Sequence, residues 1–325
     1  MSRRKPIAIS CGEPAGIGPE TAYRAWDALK DEDTFIWIGD PRHLPNGANF
    51  LEINAASDAA AVSARALPVL ARDFGSVAVA GVPDPKHARG VIASIAEAVD
   101  LVQCGIADAV CTAPIHKAAL IDGADFTYPG HTEYLAALAG TDRVVMMLAC
   151  DVLRVVPTTI HIPLADVATQ LTASLLTDTI LITHAALRRD FGLASPRIAV
   201  AGLNPHAGEA GNMGGEEIEM ITPVLDALRA QGMDITGPMS ADTMFHAAAR
   251  QTYDVAICMY HDQALIPIKT LNFSGGVNVT LGLPFVRTSP DHGTAFDIAG
   301  RDMADTTSMI AALRMARTMA IGRDV

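Results

Sequence analysis

Ile7-Ala8-Ile9-Ser10-Cys11-Gly12-Glu13-Pro14-Ala15-Gly16-Ile17-Gly18-Pro19-Glu20 is the stretch on which the fold class turns. Its apolar start, Ile7-Ala8-Ile9, reads as a strand. A helix follows from Pro19 to Leu29, with Pro19 suited to the first helical position. A glycine-rich link between strand and helix is how a phosphate loop begins. This one is not G-x-G-x-x-G, and it lacks the Lys-Ser/Thr of a P-loop. Glu20, in the first helical turn, also opposes an anion there. The segment therefore reads as a tight turn at a cleft, not as a dinucleotide fingerprint.

The same alternation continues along the chain. Phe35–Ile38, Ala109–Cys111, Val144–Leu148, Ile198–Ala201, Val255–Met259 and Val277–Leu281 read as strands. Val91, Ile92, Ile95, Val99 and Val102 recur at helical spacing, and Leu175–Leu187, Glu216–Ala230 and Thr306–Met319 read as helices. Strands alternating with helices imply α/β layers on a mostly parallel sheet. With 325 residues the chain suits two packed domains. No repeat or Ser/Gly-rich linker marks the boundary, so the chain can cross between domains more than once. In such sheets ligands sit beyond the carboxyl ends of strands, where most polar motifs of this chain fall.

Composition excludes several classes. Half of the residues are hydrophobic and 18% are charged, which permits a large core. The net charge of -12 disfavours nucleic acid and anionic membranes as partners. An anionic substrate then needs a local cluster of cations. Cys11, Cys104, Cys111, Cys150 and Cys258 are dispersed and odd in number, as expected of reduced, mostly buried thiols. The basic start Met-Ser-Arg-Arg-Lys resembles that of a signal peptide, but the apolar segment after it is too short. The longest strongly apolar run, Val144–Cys150, falls far short of the ~20 residues of a membrane helix. A cytoplasmic location is the expectation.

Five segments can carry chemistry. The glycine-rich turn is the first. The second is a set of histidines in loops after apolar stretches: His161, His206 and His261. Three imidazoles on three strand ends can converge on one ion with an open position, or each can act as a separate hydrogen-bonding group. The third is Pro129-Gly130-His131-Thr132-Glu133, where Thr132 is placed to cap a helix through Leu138, whose N–H groups suit a carboxylate or phosphate. The fourth is the cationic set Lys117, Lys269 and Arg287, in apolar or Gly/Pro-rich contexts fit for phosphate. The fifth, Asp291-His292-Gly293-Thr294-Ala295-Phe296-Asp297-Ile298-Ala299-Gly300, is a polar loop able to wrap a flat ring, or an ordinary surface loop.

Together these segments resemble the 4-hydroxythreonine-4-phosphate dehydrogenase family of pyridoxal 5'-phosphate biosynthesis. The stretches that carry the resemblance are GEPAGIGPE, TAPIHK, PGHTE, TTIHIPL, GLNPHAGE, GPMSADTMF, MYHDQ, GVNVTLGLPFVRTS and DHGTAFDIAG, in order from residue 12 to residue 300. The resemblance implies two α/β/α domains with a cleft between them, similar to isocitrate and isopropylmalate dehydrogenases. On that pattern residues 1–125 with 270–325 form the cofactor-side domain, and 126–269 the metal, substrate and dimer side. It implies a homodimer whose metal site, His161, His206 and His261, is shared across the interface. Substrate contacts map to His131, Thr132, Lys269, Asn278 and Arg287. The DHGTAFDIAG loop, with His292, Gly293 and Asp297, looks like an adenosine-binding loop of the wider group, which binds NAD without G-x-G-x-x-G.

The implied substrate is 4-phosphooxy-L-threonine, whose hydroxyl lies β to its carboxylate. A divalent metal (zinc, magnesium, cobalt or manganese) lowers the hydroxyl pKa, and NAD, with NADP as the alternative, takes the hydride. The β-keto acid 2-amino-3-oxo-4-phosphooxybutanoate then loses CO2 to give 3-amino-2-oxopropyl phosphate. Asp242, Asp262 and a metal-bound water are candidate bases. Threonate or erythronate 4-phosphate is the rival substrate. An aromatic cis-dihydrodiol is a further one, and a non-catalytic metal or phosphometabolite binder is the rival class.

Overall fold

A computed structural model of the chain describes residues 4–323; the basic start at residues 1–3 lies outside them. In chain order the strands are β1 (Ile7–Ser10), β2 (Phe35–Gly39), β3 (Phe50–Glu52), β4 (Leu67–Ala71), β5 (Ala109–Thr112), β6 (Val145–Cys150), β7 (Leu153–Pro157), β8 (Arg197–Ala201), β9 (Asp234–Met239), β10 (Val255–Cys258), β11 (Val277–Leu281) and β12 (Val286–Pro290). They fall into two compact units. The first holds residues up to Arg143 together with Leu283–Ile321, and the second holds Val144–Gly282 and the chain from Gly322.

The sheet of the first unit runs β3-β4-β2-β1-β5-β12, every pair parallel. Its central strands are buried on both faces, which is why IAIS and FIWIG read as unbroken runs and not as alternations. The helix Ala88–Gln103 covers β1, β2 and β5 and is pinned there by Ser94, whose hydroxyl donates to Ile38 O at 2.7 Å and accepts from Cys11 N at 3.2 Å. The second unit orders its strands β11-β6-β7-β10-β8-β9. β6 runs antiparallel to both neighbours, and the β7-β10-β8-β9 block is parallel. Its core joins Leu148, Val155, Ala199, Ala256, Cys258 and Ile268.

The α/β class agrees with the sequence reading; the two compact units divide at 143/144 and 282/283, where the resemblance implies 125/126 and 269/270. The helix His131–Ala139 packs on Ala88–Gln103, with Tyr134 Oη 3.5 Å from Ile92 O, so residues 126–143 belong to the first unit. Residues 270–282 belong to the second, because β11 is laddered to β6. The single helix expected over Glu216–Ala230 is interrupted. A π-turn at Glu217–Ile221 precedes the α-helix Thr222–Arg229, whose first turn holds Pro223. Proline lacks the N–H that would continue the α pattern across the junction. All five cysteines are free thiols; Cys104 is exposed and the other four are buried. No described helix is long and apolar enough to cross a membrane.

Candidate metal and substrate centre

Three adjacent parallel strands of the second unit each deliver a histidine beyond their carboxyl ends. His161 follows β7, His261 follows β10 and His206 follows β8. The rings of His161 and His261 lie 5.7 Å apart, centroid to centroid. Two imidazoles that ligate one ion sit about 5–6 Å apart, given metal–nitrogen bonds of ~2.0–2.1 Å. They border a cavity of about 260 Å³ with Tyr260 and Asp262. The loops are anchored by hydrogen bonds to main-chain carbonyls: Cys258 O accepts from Thr158 N at 2.7 Å, and Met259 O from the Thr159 hydroxyl at 2.8 Å. Gln263 ties the third strand in, donating to Gly202 O at 2.8 Å.

His261 opens the helix His261–Leu271, and its Nδ1 lies 2.7 Å from Asp262 Oδ1. An ionised carboxylate accepts only, so Nδ1 carries the proton and Nε2 is left as a ligand. His161 and His206 both occupy left-handed backbone, at φ 50° and 54°. Such conformations are costly for residues with a Cβ and gather at functional sites. His206 begins a left-handed run through Ala207, Gly208, Glu209 and Ala210. Buried Glu217 holds the entrance to this run, accepting from Asn204 N at 2.8 Å and from Asn204 Nδ2 at 3.0 Å. Gly208 has no room for a Cβ, which would meet the Glu217 carboxylate at 2.5 Å.

The donor set within one chain is a pair. Among the described residues no group of three His, Cys, Asp or Glu side chains is placed to hold a metal. β8 is separated from β7 by β10, which puts roughly two strand spacings, about 10 Å, between the loops of His206 and His161. The imidazole pair with its carboxylate fits a divalent ion; completion requires a further donor.

The first unit holds Arg287, His131 and Thr132, which the sequence reading assigned to an anionic substrate. Arg287, on β12, is 3% exposed, and its Nη2 donates to Thr112 Oγ1 on β5 at 2.6 Å. Burial pulls its pKa down to about 10, so it stays a cation at neutral pH. His131 is pushed down to about 3, first by burial and then by the Arg287 charge, and is neutral. Its Nε2 is enclosed, without a hydrogen-bond partner. Thr132 does not cap the helix it was expected to cap. The N-cap is Gly130, with no side-chain bond, because the helix starts at His131, two residues earlier than a Thr132 cap requires. The first turn of this helix therefore has no side-chain cap, and it carries the acidic Glu133.

The expected residues divide between the units. Lys269 lies on the His261–Leu271 helix, its ammonium 5.2 Å from the Phe273 ring, and Asn278 lies on β11. Asp242 is exposed and accepts from Ser240 Oγ at 2.6 Å. Lys117 is exposed at the start of the helix Lys117–Ala124. In the DHGTAFDIAG loop, Gly293 and Asp297 are exposed, and His292 Nδ1 lies 3.0 Å from Gly293 O. This loop packs on the glycine-rich turn: Thr294 O accepts from Ile17 N at 3.0 Å, and a Cβ at Gly16 would meet Thr294 O at 2.7 Å. His116 packs edge-on against Phe296 with centroids 5.1 Å apart. Thr112, Glu217 and Gln263 were not singled out from sequence. Thr112 and Gln263 stand inside the quoted stretches TAPIHK and MYHDQ, which was the available signal; Glu217 lies outside every quoted stretch.

The model of the family described as "Pyridoxal phosphate biosynthetic protein PdxA" matches residues 31–316. A 4-hydroxythreonine-4-phosphate dehydrogenase of Roseobacter denitrificans is 64% identical across 97% of this chain and 97% of its own. That of Paracoccus denitrificans is 58% identical across 99% and 100%. The crystal structure of the Klebsiella pneumoniae 4-hydroxythreonine-4-phosphate dehydrogenase superposes with a TM-score of 0.88 at 36% identity, covering 97% of this chain and 99% of that one. A terephthalate 1,2-cis-dihydrodiol dehydrogenase of Burkholderia xenovorans is more distant, with a TM-score of 0.69 at 26% identity over 97% and 98%.

Proposed function

The chain belongs to the PdxA family of pyridoxal phosphate biosynthetic proteins, a family of oxidoreductases, and from that premise we propose that it oxidises 4-phosphooxy-L-threonine at the 3-hydroxyl. The product is 2-amino-3-oxo-4-phosphooxybutanoate, which loses CO2 to give 3-amino-2-oxopropyl phosphate. The observation that carries the reading is the His161–His261 pair, oriented by Asp262 at the carboxyl edge of a parallel sheet. In this proposal His161, His206 and His261 hold a divalent ion, and a second copy of the chain supplies the donor that one chain does not bring to the pair. When bound, the metal supplies Lewis acidity to the hydroxyl, and NAD accepts the hydride.

The chain's own groups do the rest. Arg287 offers a permanent cation, held in place by Thr112, to the phosphate or carboxylate. Neutral His131 and the open helix end at residues 131–133 donate N–H groups to the same anion without adding charge. Lys269 and Asn278, in the second unit, are the further polar groups that the resemblance assigns to the substrate. Asp262 is engaged by His261, which leaves Asp242 as the candidate acceptor for the hydroxyl proton. Ser240, bonded to Asp242, aligns that carboxylate.

The test compares NADH formation from 4-phosphooxy-L-threonine, threonate 4-phosphate and erythronate 4-phosphate. A kcat/KM highest for the amino acid supports the reading. A preference for either sugar acid keeps the site chemistry and moves the enzyme to carbohydrate catabolism.

A further inference from the structure

His206 is carried by a stretch whose own residues do not favour its shape. His206, Ala207, Glu209 and Ala210 all take left-handed backbone, with φ between 44° and 57°. A Cβ makes that region costly, and a run of it persists only where the surroundings hold it. At its far end the run is closed locally, Asn212 N donating to Glu209 O at 3.2 Å and Met213 N to Gly208 O at 3.1 Å. Its entrance is held from further along the chain.

The carboxylate of Glu217, a residue 3% exposed, stands inside the curve of residues 202–208. A Cβ on Gly202 would lie 3.0 Å from Glu217 Oε1, and one on Gly208 would lie 2.5 Å from Oε2. Glycine at these two positions is what lets the loop close around the carboxylate. Between them Asn204 N donates to Oε1 at 2.8 Å and Asn204 Nδ2 to Oε2 at 3.0 Å. Asn204 is thereby fixed in backbone and side chain, two residues before His206. Glu217 also begins the π-turn Glu217–Ile221, a device that gathers at functional sites. Glu216, just before it, accepts from the same Asn204 Nδ2 at 2.7 Å. Among the described residues no cation pairs with Glu217, and both of its side-chain hydrogen bonds go to Asn204.

We propose that Glu217 is a positioning residue for His206: by holding Asn204 it fixes the direction in which the left-handed run delivers the imidazole to a divalent ion. The proposal rests on the metal reading above, in which His206 is a ligand.

Its test is a double-mutant cycle read by cobalt binding to the metal-free protein. The dissociation constant and the visible spectrum of bound cobalt are measured for the wild type, Glu217→Gln, His206→Ala and the double variant. Glutamine keeps the length of the side chain but replaces one acceptor oxygen by a donor. Glu217→Gln should weaken cobalt binding about 10–100-fold and alter the visible spectrum, as loss of an outer partner of a ligand does. In the His206→Ala background the same substitution should change affinity less than about twofold, because the residue through which it acts is gone. Equal weakening in both backgrounds would show a merely structural role and overturn the proposal, and so would unchanged binding in Glu217→Gln. Should Glu217→Gln fail to fold by circular dichroism, Asn204→Ala takes its place in the cycle. It removes only the amide donor to the two carboxylates, and the same dependence on His206 is required of it. A wild type that binds no cobalt, or a His206→Ala variant that binds it as tightly as wild type, would sink the metal reading. Weakened binding in His206→Ala without any effect of Glu217→Gln would sink the positioning role alone.

Discussion

Asp262 and His261 are sequence neighbours whose side chains bond at 2.7 Å across the first turn of a helix, so the imidazole is delivered with its Nε2 lone pair free. Asp262→Asn keeps the shape but can present an N–H to Nδ1 and favour the wrong tautomer. Metal affinity should fall about 10–100-fold with the fold unchanged. Titration of the apo-protein with zinc or cobalt reads this directly; an unchanged affinity would mean that Asp262 does not serve His261.

Because one chain pairs only His161 with His261 among the described residues, the proposed site needs a second copy. His161→Ala and His206→Ala should each be inactive alone. Mixed under conditions that exchange subunits, they should recover about a quarter of wild-type activity, since half of the dimers are hybrids and each hybrid carries one intact site. No recovery, with exchange verified by mass, would place all three histidines on one chain or remove His206 from the site.

Arg287 is a cation buried against Thr112. Lysine preserves the charge but not the fork, so Arg287→Lys should raise KM for a phosphorylated substrate about 10–100-fold while kcat changes less. Thr112→Val removes one acceptor from the guanidinium and should cost about 1–3 kcal/mol of stability. A Thr112→Val protein as stable as wild type would show that the pair carries no weight.

The sign of one pH effect follows from His131, whose pKa falls from 6.5 to about 3 on folding. Between those values the unfolded chain binds a proton that the native state refuses. Stability is therefore unaffected above pH 6.5 and declines as pH falls toward 3. Between pH 7 and pH 5 the apo-protein should lose about 2 kcal/mol that His131→Gln does not lose. Parallel urea-unfolding curves at the two pH values for both proteins would contradict the neutral, enclosed imidazole.

Ala210 sits exposed at φ 57° in the left-handed run that presents His206. Ala210→Gly should stabilise the protein by about 0.5–1 kcal/mol, because glycine adopts that region without steric cost. A loss of stability would argue for ordinary right-handed backbone there.

The sequence was legible where burial is two-sided. Ile7–Ile9, Phe35–Ile38 and Val255–Met259 read as strands because both faces are packed. β9 was missed because Gly237 and Pro238 interrupt it at the sheet edge, and β12 because its strand VRTSP buries polar side chains. The His261–Leu271 helix was hidden by Pro267 inside it. The candidate histidines were legible as loop residues after strands. Their left-handed backbone was not, since Ala207, Glu209 and Ala210 have no local preference for it, and a distant carboxylate, Glu217, anchors the turn.

The central claim is metal-assisted oxidation of 4-phosphooxy-L-threonine, and its most direct test is the initial rate of NADH formation before chelation, after it, and after divalent metal is returned. The account predicts a rate abolished by the chelator and restored by zinc, cobalt, manganese or magnesium. A rate indifferent to chelation, in protein shown to be metal-free, would contradict it.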